Sequence, residues 1–128
     1  MPKTPWISFA PTKPDTTYLA LLSYLPLRHF RAIPKFFRYT AQTQRQLKTT
    51  SGIIGYALQA RPFSRQFWTL SVWEDRESLN NFVRQIPHSQ IMQVLAAHMG
   101  ETNFAQWTVT SAEIPPYWPT ALARLNQS

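Results

Sequence analysis

The sequence predicts an α+β domain with its strands and helices in the order β-α-β-β-α-β, and three observations predict it. Residues 66–73, QFWTLSVW, alternate with the two-residue period of a strand and run straight into an acidic helix start, EDRESLNNFVRQI. Two further stretches, TYLALLSYL at 17–25 and NFAQWTVTSAEI at 103–114, alternate in the same way. Between the first of these and QFWTLSVW lie a basic helical segment and a strand, IIGYALQA, joined to its successor by the short turn RPFS at 61–64.

Taken in order, residues 1–16 form an N-terminal arm in which Pro2, Pro5, Pro11 and Pro14 remove backbone donors and exclude a helix. Trp6, Ile7 and Phe9 are available to strap this arm to a neighbouring surface. The domain itself is expected at 17–114, with a tail at 115–128. Its first strand sets Tyr18, Ala20, Leu22 and Tyr24 against Leu19, Leu21, Ser23 and Leu25 on the other face, and ends at Pro26. Pro34 suits a first helical turn, and small or apolar residues at 33, 36, 37, 40, 41 and 47 keep helical spacing to about Lys48. Gly52 is free to take a left-handed turn, and Gly55 inside the second strand signals a bulge or a close backbone approach. Asp75 is placed to cap the second helix, whose core stripe is Leu79, Phe82, Val83 and Ile86. Pro87 breaks that helix, a short one is expected from Ser89 to Met99, and TALARL forms a last helical turn.

This order is that of a ferredoxin-like domain with an antiparallel sheet. Each strand has one more apolar face and one mixed face. In the third strand the apolar face is Trp68, Leu70 and Val72, and the mixed one is Phe67, Thr69, Ser71 and Trp73. Helices are expected over the apolar faces, and a bound molecule or a second copy of the sheet over the mixed ones.

Composition narrows the function. The 128 residues contain no cysteine, which excludes disulfides, thiolate nucleophiles and cysteine-ligated metal centres. No apolar run reaches the roughly 20 residues of a membrane span, and the proline-interrupted start lacks a signal-peptide core, so a cytoplasmic protein is expected. The net charge of +7 is uneven: residues 1–65 carry ten Lys and Arg against Asp15 alone, and residues 66–128 three against five acids. A basic face on the first helix, carrying Lys35, Arg38, Arg45 and Lys48, follows; it suits solubility first, and peripheral contact with an anionic membrane is the alternative. Nucleic acid is not an expected partner, because RQFWTLSVW lacks the glycines of the RNA-recognition strand and the basic residues gather on a helix instead of the sheet. No nucleotide-binding glycine loop and no serine nucleophile elbow occurs.

His88 stands at a break beside a sheet edge and suits a general acid/base or a metal-porphyrin ligand, against the plainer reading of a capping or interface histidine. Trp73 ends a central strand, where a ring more often packs than reacts. Tyr24, Gln59, Arg61, Phe67, Thr69, Ser71, Gln106 and Thr108, with Ser23, are the residues that could shape an apolar cavity and orient a phenolic or carbonyl oxygen in it. No histidine spacing suggests a metal site.

Trp73-Glu74-Asp75, then Leu79, Phe82 and His88, resemble the W-[ED]-[SD]-x-x-x-L-x-x-F…H pattern of the dimeric α/β-barrel superfamily, above all its antibiotic-biosynthesis-monooxygenase-like members. The similarity runs from Tyr18 to Ile114, and Gly52 and Gly55 fit the G-x-x-G that opens the second strand there. QFWTLSVWED and PHSQIM are also similar to the C-terminal part of spheroidene monooxygenases, and EIPPYWPTALARL to small uncharacterised relatives. The resemblance implies a homodimer paired sheet to sheet, and a monooxygenase-like function on an apolar conjugated or aromatic small molecule, with His88 and Trp73 as catalytic candidates. It implies either no cofactor or haem, with His88 the ligand if haem is bound. Haem-degrading relatives carry an asparagine on the first strand; TYLALLSYL has none, which counts against that branch. The alternative is a dimer of the same fold that binds haem or a lipid-like ligand without chemistry.

Overall fold

The computed structural model describes residues 5–84 and 96–125. Within them the strands are β1 (Ile7–Ser8), β2 (Thr17–Tyr24), β3 (Ile53–Arg61), β4 (Gln66–Trp73) and β5 (Asn103–Thr110). The helices are α1 (Ile33–Leu47), α2 (Arg76–Arg84) and α3 (Trp118–Leu125). All strand pairs are antiparallel, in the spatial order β1-β3-β4-β2-β5. Strands β2 and β3 therefore run parallel on either side of β4, with α1 as their crossover. This is the ferredoxin-like α+β arrangement that the element order predicts.

Local chemistry explains the boundaries. Pro34 sits in the first turn of α1, where its missing N–H costs nothing. Gly52 has a φ of 89°, and a Cβ there would also collide with Ser78. The Ser78 backbone N–H donates to Asp75 Oδ1 at 2.8 Å, the cap expected for α2. Gly55 meets both expectations at once: the β3–β4 register shifts between Ile53 and Gly55, and the Trp6 ring lies where a Cβ would be. The arm is thereby tied to the sheet, with Ile7 opposite Tyr56 in β1. Strand β5 stops at Thr110 instead of continuing to Ile114. The Thr110 N–H donates to the Glu113 carboxylate at 2.8 Å, and that capping box turns Ser111–Glu113 into a 3-10 helix.

The covering of the two faces is the reverse of the expectation. Helices α1 and α2 lie on the mixed face, where Phe67 packs under Phe36 with ring centroids 4.4 Å apart and Trp73 packs against Phe82 at 5.1 Å. The wholly apolar face is closed by the two ends of the chain. Leu22, Trp68 and Leu70 cluster with Ala121, Trp118, Leu122 and Leu125 of α3 and with Trp6. Ala20, Val72 and Val109 cluster with Trp6, Ala10 and Ile114. The physical reason is size: the large rings at the two ends of the mixed face reach across to the helices, and the small hydroxyl residues between them leave a gap.

A candidate cavity between the sheet and two helices

That gap is a cavity of about 250 Å³. Its floor is the mixed face: Ser23 and Leu21 of β2, Thr69, Ser71 and Trp73 of β4, and Tyr56 of β3. Its roof is Phe36, Tyr39, Thr43 and Leu47 of α1 with Leu79 and Phe82 of α2. Helical spacing in α1 and α2 is what turns these side chains to the sheet together. Phe104, 46% exposed on the edge strand β5, stands at the rim.

Register places the polar groups of the floor. Ser71 is opposite Tyr56 on one side and Leu21 on the other, and Thr69 is opposite Ser23. The Trp73 indole Nε1–H donates to Ser71 Oγ at 2.9 Å, so the one polar atom of this buried ring is already spent. Tyr56 is 5% exposed, and burial alone acts on its phenol, pushing its pKa far above the ordinary tyrosine value of 10.0. It stays a neutral donor at any physiological pH. Lys, Arg, His, Asp and Glu are absent from the described lining, so the cavity presents hydroxyls and rings but no fixed charge.

The structure divides the residues proposed from sequence. Trp73, Thr69 and Ser71 line the cavity. Phe67 is on the same face but wholly buried beneath α1, packed on Phe36 and Phe37. Gln106 and Thr108 are exposed on β5, where Gln106 Oε1 accepts from Arg76 at 2.9 Å. Tyr24, Gln59 and Arg61 belong to the opposite face, which separates them from the cavity. Tyr24 and Gln59 are the register partners of Trp68, and Arg61 that of Gln66. Tyr24 Oη accepts from Gln66 at 2.8 Å. His88 and the segment expected as a helix from Ser89 lie outside the described residues, apart from its last residues. Tyr56 was missed. The signal for it was its place in IIGYALQA, two residues before Leu58 on the face that also bears Ser71.

Haem does not fit the described cavity. Its volume falls below the roughly 300–1,000 Å³ of sites for drug-sized ligands, and a tetrapyrrole is larger than most of these. Neither His29 nor His98 lines it. Among the described residues no group of three or more His, Cys, Asp or Glu is placed to hold a metal ion, and no helix is long and apolar enough to cross a membrane.

Residues 37–127, more than half of the chain, match a family model described as a domain of unknown function, DUF3291. The chain belongs to the DUF3291 family. No curated protein matches this DUF3291 chain in sequence. Solved structures do match its fold. A conserved protein from Methanosarcina mazei Go1 superposes with a TM-score of 0.65 at 15% identity, over 72% of this chain and 92% of its own. An antibiotic biosynthesis monooxygenase gives 0.63 at 13%, over 70% and 95%. A variant of SnoaB, a cofactor-independent oxygenase from Streptomyces nogalater, gives 0.58 at 15%, over 78% and 98%. At these identities the likeness shows the fold: this DUF3291 domain has the antibiotic-biosynthesis-monooxygenase-like ferredoxin fold that the W-E-D…L…F pattern suggested.

Proposed function

We propose that this protein is monooxygenase-like and takes an apolar aromatic or conjugated small molecule into the cavity between the sheet and helices α1 and α2. The observation that carries the reading is the cavity itself: a mostly apolar space walled by Trp73, Phe36 and Phe82, with hydroxyls on its floor. Fold neighbours that are oxygenases support it. In such a reaction without a cofactor the electrons come from the substrate. A ring-activated methylene loses two hydrogens, one atom of dioxygen becomes the new carbonyl oxygen, and the other leaves as water. The described lining offers no group that takes up a proton at neutral pH, so His88 is the proposed acid/base, and Trp73 is a wall of the site.

The proposal includes a homodimer. The sheet face opposite the cavity already carries Trp6 and α3, so two copies pairing through it would do so over these elements.

The test is oxygen uptake and ligand binding with naphthols and anthrone, for the natural sequence, Thr43→Trp and His88→Ala. Thr43→Trp is expected to fill the cavity and abolish both, at a folding cost of roughly 1–3 kcal/mol for overpacking. His88→Ala is expected to keep binding and lose uptake. Binding with no uptake in any form would instead favour the non-catalytic ligand-binding reading, and no binding would refute the cavity as the site.

A further inference from the structure

Two donors on the cavity floor are unspent. Tyr56 hydrogen-bonds no described residue through its hydroxyl, and burial is the only influence on its titration. Ser71 Oγ accepts from Trp73, which leaves its own hydrogen to give, and no described acceptor takes it. The two are direct cross-strand partners on one face, which sets their Cβ atoms roughly 4.5–5.5 Å apart. Both residues line the cavity, where a ligand or water can take the hydrogen each still has to give.

We infer that Tyr56, with Ser71, anchors the ligand by donating to one oxygen of it, and that the ligand class is a flat, uncharged ring compound with a carbonyl at its edge. A carbonyl oxygen has two lone pairs and can accept from a phenol and from a serine hydroxyl, whereas a hydrocarbon accepts from neither. A carboxylate is disfavoured, because the lining holds no cation to offset its desolvation. The raised pKa of Tyr56 adds that the phenol keeps its proton and acts as donor across the physiological range. Tyr56 is thus a binding residue and the source of selectivity, distinct from any proton-transfer group. The inference rests on the cavity being the ligand site.

The test uses a matched pair of probes, α-tetralone and tetralin, which share a ring skeleton and differ in one carbonyl. Calorimetric titration of the natural sequence is expected to show α-tetralone bound more tightly than tetralin by roughly threefold to tenfold, the size of one net hydrogen bond. In Tyr56→Phe that preference is expected to collapse while tetralin binding is unchanged. An infrared measurement on the natural sequence needs no variant: the carbonyl band of bound α-tetralone is expected at lower wavenumber than in hydrocarbon solvent. An unshifted band, or a preference that survives in Tyr56→Phe, overturns the inference and leaves the cavity reading standing. Failure of both probes to bind overturns both.

Discussion

The bond between Trp73 and Ser71 joins the packing of the core to the shape of the cavity, and a double-mutant cycle measures it. Trp73 is 1% exposed, its ring lies 5.1 Å from Phe82, and its Nε1–H has Ser71 Oγ as partner at 2.9 Å. Ser71→Ala leaves a buried indole N–H unpaired, at about 2 kcal/mol within the usual 1–3. Trp73→Phe removes the donor along with part of a buried ring, which is again about 2 kcal/mol from the lost bond and the lost apolar area. The double variant has no orphaned donor, so its cost is expected near 3 kcal/mol instead of the additive value of about 4. Urea unfolding followed by far-ultraviolet circular dichroism, which avoids the other four tryptophans, reads all four corners with a common slope. Additivity within about 0.5 kcal/mol would refute the claim that this bond matters to the folded state.

Gly55→Ala is expected to drive Trp6 off β3, because the new methyl occupies the place of the indole ring; the measurement is limited proteolysis, with faster cleavage before residue 17. Asp75 supplies a pH dependence. The backbone N–H of Ser78 holds its carboxyl below the ordinary 3.8, so the cap stabilises α2 above that value and is lost as pH falls through the lowered folded value. Asp75→Asn is expected to flatten the acid limb of a stability-against-pH curve below about pH 4 and leave the neutral region little changed. Ala121→Arg is expected to detach α3, since Ala121 is fully buried against Leu22, Trp68 and Leu70; the readout is a fall in the urea midpoint together with increased exposure of tryptophan to a soluble quencher.

Much of the fold is legible in the chain because it is written in short-range signals. The alternation of QFWTLSVW, the glycines at 52 and 55, the proline at 34 and the aspartate at 75 each constrain a few neighbouring bonds, and each does so in the structure as it does on paper. The resemblance of W-E-D…L…F to a known family pattern pointed to the same fold. Part of the candidate site was legible too: Trp73, Thr69 and Ser71 share a strand face, and alternation alone puts them together.

What alternation does not encode is which face meets which partner. The helices chose the mixed face because Phe67 and Trp73 span the distance to Phe36 and Phe82. The apolar face was left to Trp6 and α3, segments that local pattern ranks as an arm and a tail. The same decision sent Tyr24, Gln59 and Arg61 away from the cavity and brought Tyr56 into it, opposite Ser71. Local propensity and periodicity act over a few residues, and the sequence by itself therefore determined the elements and their order. The packing of large rings, and the gap left where small hydroxyl residues stand between them, depends on residues far apart in the chain, and only the tertiary structure decided it.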